Sequence, residues 1–314
     1  TNIMTPYNPG TKCYNYFIGS EDSEQDIFHV NANNLSFSFT LSKDGTPETD
    51  PQSKVKIEKI TGNLVYDSYG NIAGWIITDE SGIKYTFTKR EFSKSASSSA
   101  FFSPHSPKYI VTSWYLTEIA APFNYETVKL EYEEYTYGYS LNMSESITAA
   151  GYNKTYSSIS MIAQRISKIT TPDSAKISFI YDNSGYRCDL KGDRALMKIS
   201  IASPVKNIRD FVFTYNYMID GGFQNYNPCS LNGTNQLTGR LILVGLKESG
   251  KNPYQFTYLA GLPSRDSKSQ DHWGFYNGKT NSTLLPKTYF YIGLFGSGWQ
   301  EKGDANRRPD TGYV

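Results

Sequence analysis

With 31 basic and 30 acidic side chains in 314 residues, the chain carries a formal charge of only +1. No long-range field draws in a phosphate backbone, and nucleic acid is not an expected partner. The length suffices to bury a large core without disulfide staples. The 15% aromatic content, with 26 tyrosines, suits half-buried pleated surfaces rather than helices.

The N-terminus, "TNIMTPYNPG", has neither a basic start nor an apolar core, so an exported form has already lost its signal. No apolar run approaches the roughly 20 residues of a membrane helix, and no membrane insertion by this segment is expected. Helical stripes are scarce, whereas alternation of period two recurs along the chain. The first clear strands are "LSFSFTL" (35–41) and "IKYTF" (83–87). Between and after them, "KDGTPETDPQS" (43–53) and "SKSASSSAFFSPHSPK" (93–108) read as surface loops. The second loop places a boundary between an N-terminal β-unit, 1–95, and a repeat region, 96–314.

Four strands in the repeat region share the template apolar-x-apolar-x-Tyr: "VKLEY" (128–132), "ISFIY" (177–181), "FVFTY" (211–215) and "YQFTY" (254–258). Each follows an apolar segment ending in a Pro or Gly turn: "LTEIAAP", "ISKITTP", "LMKISIASP" and "LVGLKESG". This is an internal hairpin repeat with loops of unequal length. One hairpin cannot bury its own face, so the copies pair into a single sheet or curved wall. The expected fold class is all-β, with repeated antiparallel hairpins forming a large curved sheet or shell segment. The Tyr-rich stretch 132–159 reads as strand extension plus a long excursion.

Two turns read Tyr-Asp-x-x-Gly: Tyr66, Asp67 and Gly70, then Tyr181, Asp182 and Gly185. Tyr ends a strand, Asp accepts backbone N–H bonds, and Gly supplies a positive φ. "TDESG" (78–82) repeats the Asp-x-x-Gly part, and a turn role accounts for Asp67, Asp79 and Asp182 without catalysis. Cys13, Cys188 and Cys229 are an odd number without C-x-x-C spacing, which allows one bridge with a thiol left over and disfavours a zinc ribbon. Five tripeptides, beginning at Asn34, Asn142, Asn153, Asn232 and Asn281, fit the glycosylation pattern but carry little weight in a chain this rich in Asn and Ser.

The densest cluster of chemically capable side chains is "SQDHWGFYNG" (269–278). Trp273, Phe275 and Tyr276 could form a stacking platform for a sugar ring, with Asp271, Asn277 and Arg265 as hydrogen-bonding partners. The commoner role for such rings is to plug one end of a sheet. Asp271 and His272 are neighbours and cannot share a face of a regular strand. His272 is expected to hydrogen-bond a loop backbone, and with His29 and His105 in unrelated contexts no metal or cofactor site is expected. "GLFGSG" (293–298) lacks the helix that a phosphate loop needs. Glu131, Glu133 and Glu134 could supply a glycosidase pair only if two of them met across a cleft.

"YDSYGNI", "YDNSGYR", "TDESGIKYTF", the repeated hairpins and above all "LPSRDSKSQDHWGFYNG" followed by "GDANRRPD" resemble the YD-repeat, or RHS, family, in particular large surface or secreted members from Bacteroides-type gut bacteria. In that family the last two segments stand just upstream of a longer repeat array. The resemblance covers most of the chain in pattern and its final fifty or so residues closely. It implies an extracellular or outer-membrane-surface location and a β-structured wall continued by downstream repeats of the same polypeptide. It also implies work in cell contact, carbohydrate binding or enclosure of a passenger. The chain departs from the fuller pattern in lacking a dense run of YD repeats, the self-cleaving core segment and a passenger. A non-enzymatic scaffold is therefore the expected function, a carbohydrate-binding module the alternative, and a glycosidase the third reading.

Overall fold

A computed structural model describes residues 26–50, 54–62, 72–97, 109–148, 151–219, 222–229, 239–259, 263–264, 267–292 and 298–304. The fold is all-β and antiparallel. Its strands are β1 (Ile27–Ala32), β2 (Leu35–Leu41), β3 (Pro47–Asp50), β4 (Lys56–Thr61), β5 (Ile72–Thr78), β6 (Lys84–Ser97), β7 (Ile110–Ala120), β8 (Thr127–Thr148) and β9 (Gly151–Thr170). They continue with β10 (Lys176–Tyr181), β11 (Leu196–Ala202), β12 (Asn207–Ile219), β13 (Gly222–Asn225), β14 (Gly239–Glu248), β15 (Tyr254–Gln255), β16 (Thr288–Ile292) and β17 (Gly298–Lys302).

Strands β4 to β15 form one sheet of 12 strands, β1–β2–β3 form a second sheet, and β16–β17 form a separate hairpin. The border expected at 95/96 lies inside β6, which pairs with β5 on one side and β7 on the other. The strands on its two sides therefore share one sheet, while β1–β3 pair in a sheet of their own. That sheet and the β5–β7 end of the large one bury a common core of Leu35, Phe39, Trp75, Ile77, Tyr85 and Phe87. Its centre is aromatic: Phe28 stacks on Phe39 at 4.9 Å, and Trp75 meets Phe28 and Phe39 edge-on at 5.2 and 5.0 Å. Edge-to-face contacts of this kind add to the area each ring buries.

The expected strands fall where alternation puts them, except that "YQFTY" is a strand only at Tyr254–Gln255, and several expected loops differ. Residues 93–97 continue β6 and pair with β9, so β6, β7, β8 and β9 close into a ring of pairings. Pro47–Asp50 is a strand rather than loop. The Tyr-rich stretch is the β8–β9 hairpin, whose strands run for 22 and 20 residues.

The repeat has a physical basis that the template alone hides. Besides other register shifts, such as those at Thr88 and Thr112, an extra residue interrupts β5, β7, β9, β11 and β14 at corresponding places: Ala73, Thr117, Ser167, Met197 and Val244. Each of these five bulges follows an apolar residue and precedes another two places on, the pattern apolar-bulge-x-apolar. The carbonyl just before the bulge is released from the ladder. In four units the template tyrosine takes it up: Tyr132 donates to Leu116 O (2.7 Å), Tyr181 to Ile166 O (2.9 Å), Tyr215 to Leu196 O (2.7 Å) and Tyr258 to Leu243 O (2.7 Å). Phe87 holds the same place opposite Leu116 without a hydroxyl to give. The bulged Thr117 and Ser167 add a second bond, to Thr86 O (3.0 Å) and Glu131 O (3.1 Å). Bulges bend and twist their strands, so a regular line of them curves the sheet.

Candidate functional site

The 267–285 segment is nearly free of regular structure and is held by polar side chains. Asp271, 3% exposed, accepts the N–H groups of Trp273 and Phe275 on one carboxylate oxygen, both at 2.9 Å. Its own N–H donates to Phe275 O (2.8 Å) and its carbonyl accepts Gly274 N–H (3.2 Å). Gly274 sits at φ 90, which the sharp reversal requires and a side chain would oppose. Asn277, 4% exposed, donates to Gln270 O (3.0 Å) and accepts Lys279 N–H (3.0 Å). Asn281 donates to the same Gln270 carbonyl at 2.8 Å.

The segment is anchored to the far end of the β8–β9 hairpin by Glu145, whose side chain is fully buried. Glu145 accepts Leu284 N–H at 2.7 Å and the Thr283 hydroxyl, and pairs with Lys268 at 2.8 Å. A carboxylate withdrawn from water in this way holds its partners firmly, because removing one leaves a buried charge unpaired. On this base Trp273 and Phe275 stand 70% and 69% exposed. His272 is also exposed and lies edge-on to Trp273 at 5.2 Å.

The sequence-derived platform is thus split. Trp273 and Phe275 are presented to solvent and do not plug a sheet. Asp271 and Asn277 are buried and spent on the loop backbone, so they are not hydrogen-bonding partners for a ligand. Tyr276 is half-buried and bridges to Gln270, and Arg265 lies outside the described residues. His272 contacts a ring rather than the loop backbone proposed for it, while Nδ1 of His29 meets the Ser38 hydroxyl at 2.8 Å. Tyr66, Asp67, Gly70, His105 and most of "GLFGSG" lie outside the described residues.

A second polar cluster surrounds Asp182. Tyr181 and Asp182 do not enter a tight hairpin turn: residues 182–195 form an excursion before β11. Gly185 is required by close approach, not by a positive φ, since a Cβ there would meet Pro228 Cβ at 2.7 Å and Cys229 O at 2.9 Å. Asp182 accepts Ser184 N–H (2.9 Å) and the Tyr226 hydroxyl (2.6 Å). Burial opposes its charge, but these bonds and nearby Arg194 outweigh it and hold its carboxyl below the usual range. A disulfide joins Cys188 to Cys229 with Cα atoms 5.2 Å apart, beside a two-bond bridge between Tyr186 and Cys229. Only the later cysteine, beyond a 41-residue separation, could have suggested it.

Within the excursion Arg187 forks onto Asp189 (3.1 and 2.8 Å) and reaches Asp193 (2.9 Å). Arg165 of β9 forks onto Glu133 (3.1 and 2.9 Å) between the rings of Tyr135 and Tyr181 at 4.9 and 4.7 Å. Arg165, Arg187, Asp193 and the rings of Tyr135 and Tyr181 line a concavity of about 460 Å³. Its one lining acid, Asp193, is held by Arg187 at 2.9 Å with Arg165 at 3.9 Å, an ion pairing that suits a brace better than proton transfer. Glu131 is likewise paired with Lys168 (2.8 Å), and Glu134 accepts the Gln164 amide (3.0 Å). The three glutamates are therefore engaged on the hairpin itself. A larger concavity, about 730 Å³, lies at the seam between β1 and strands β5 and β7, walled by the aromatic core.

No family model matches the chain, and no curated relative matches it. Among solved structures, the N-terminal domain of effector protein SpvB from Salmonella typhimurium strain LT2 aligns over 76% of this chain and 83% of its own, at 11% identity and a TM-score of 0.37. That likeness is too loose to assign a fold family or a role.

Proposed function

We propose that the chain is a non-enzymatic, extracellular β-scaffold segment of the YD-repeat kind, part of a wall that works in cell contact or passenger enclosure. The observation that carries this reading is the repeated lock, in which four tyrosines seal four bulge carbonyls and join successive hairpins in one register. Such an array gains area by adding units, not by shaping a cleft. The Cys188–Cys229 disulfide supports export, because such bonds persist in oxidising compartments.

The test is the thiol state of the protein recovered from its native host, trapped by alkylation and read by peptide mass spectrometry, together with protease shaving of intact cells. A linked 188–229 pair on a shaved protein is expected. A free pair on a protein that shaving spares would overturn the reading.

A second reading, a carbohydrate-binding surface, is favoured by one observation: Trp273 and Phe275 are exposed on a turn locked from below. A glycan array with wild type beside Trp273→Ala tests it. Signal lost in the folded variant supports it, and signal retained in the variant or absent from wild type removes it.

A further inference from the structure

The register of the large sheet repeats on both flanks of the tyrosine strands. On one flank each tyrosine bonds back to a bulge carbonyl. On the other flank it faces the next bulged strand. Tyr132 and Leu130 lie opposite Ile166 and Ile169. Tyr181 and Phe179 lie opposite Leu196 and Ile199. Tyr215 and Phe213 lie opposite Leu243 and Leu246. Even the first unit conforms, with Phe87 and Tyr85 opposite Leu116 and Ile119. In every case the facing strand reads apolar-bulge-x-apolar.

The fifth member breaks the series. β15 and the extended residues after it pair with β14 on one side only, through Gly245 with Gln255 and Leu246 with Tyr254. Among the described residues no strand covers the other flank. Phe256 and Tyr258, in the two places that are faced elsewhere, are 41% and 44% exposed, with Tyr254 at 66% and Leu259 at 93%. The Phe256 N–H is spent on Val244 O (3.0 Å), so strand alternation turns the Thr257 N–H to the open side.

We infer that this flank is a docking edge for one further strand of the apolar-bulge-x-apolar pattern, supplied by another hairpin unit of the same kind. The incoming strand places its first apolar residue opposite Tyr258 and its second opposite Phe256, with one small or flexible bulged residue after the first. Backbone bonds give affinity and the two apolar positions give register, the usual division in strand addition. An open edge with exposed aromatics favours pairing over solvation. This inference rests on the scaffold reading and names its partner.

The experiment uses the chain's own bulged strand as probe: a labelled peptide of residues 194–203, "RALMKISIAS", titrated into the whole protein and read by fluorescence anisotropy and hydrogen exchange. Saturable binding with protection at 255–258 is expected. The peptide carrying Leu196→Asp and Ile199→Asp should bind roughly tenfold more weakly or worse. Thr257→Pro in the protein removes an outward N–H, which an edge strand tolerates, and should abolish binding with the circular dichroism unchanged. If that variant unfolds, Phe256→Lys spoils the same register without touching the backbone. No saturable binding, equal binding of both peptides, or protection confined elsewhere overturns the inference. A surface-exposed protein with 188–229 linked but an inert edge would overturn this inference alone and leave the scaffold reading standing.

Discussion

In the hairpin array the hydroxyls of Tyr132, Tyr181 and Tyr215 turn inward to a carbonyl, and the half-buried rings pack along the sheet. In the 267–285 segment the carboxylate of Asp271 and the amide of Asn277 turn inward, while the rings of Trp273 and Phe275 face water. The array uses aromatics to close structure. The segment uses polar groups to close structure and leaves its aromatics unspent. Exposed Leu or Val scattered singly needs no explanation, but two large rings held rigidly outward have the form of a contact surface.

The contrast can be tested by removing what holds each region. The largest expected effect is on the array's brace. Cys188→Ala opens a 41-residue loop and should cost about 3–4 kcal/mol by denaturant titration under non-reducing conditions. Asp271→Ala should cost about 2 kcal/mol, because two backbone N–H groups lose a charged acceptor. That loss is local: hydrogen exchange should quicken at Trp273 and Phe275 while the β-sheet amides keep their protection. If the sheet loosens as well, the two regions are one cooperative unit and the contrast fails.

Single locks in the array are weaker. Tyr181→Phe should cost about 1 kcal/mol, the worth of one hydrogen bond with its ring retained. Tyr258→Phe should cost less, since its hydroxyl sits on an exposed strand and water replaces it. Alkaline pH attacks the locks together. Burial raises the lock tyrosine Tyr181 to about 12; Tyr115 of β7, whose hydroxyl donates to Glu91 and not to a bulge carbonyl, is raised to about 12 by burial and that bond, from 10.0 in each case. Burial also raises Tyr132 and Tyr215. A folded pKa above the unfolded one means the stabilisation is complete below 10.0 and is lost as pH rises through about 12. The melting temperature should hold to about pH 10 and then fall, with phenolate absorbance rising later than in denaturant.

Period-two alternation placed "LSFSFTL" on β2 to the residue and gave the template strands at 128–132, 177–181 and 211–215 their faces, while 254–258 is exposed throughout. The tyrosine template was legible because its purpose is local to a hairpin. The bulges were not, since an extra residue in one strand shows only when the partner's register is known. For the same reason the brace was missed: Arg165 meets Glu133, 32 residues away, and Cys188 meets Cys229, 41 residues away. The YD turn misled because Asp182 does accept backbone N–H, as a turn aspartate should, but at the entrance to an excursion. In the 269–278 stretch Trp273 and Phe275 face outward as a platform requires, whereas Asp271 and Asn277 turn inward instead of toward a ligand. Asp and Asn are taken as ligand partners when exposed and as loop holders when buried, and composition does not distinguish the two.

Trp273→Ala is expected to change stability least and to say most. A ring 70% exposed has little buried area to lose, and surface substitutions of this kind stay within about 0.5 kcal/mol. The indole leaves its backbone N–H in place, so the Asp271 turn survives the change. An unchanged melting temperature would therefore separate the ring from the fold, as the contrast between the two regions requires. A loss well beyond that range would mean that the ring closes structure after all. In that case the 267–285 segment would be governed by the same rule as the array, and the case for a contact surface at Trp273 and Phe275 would end there.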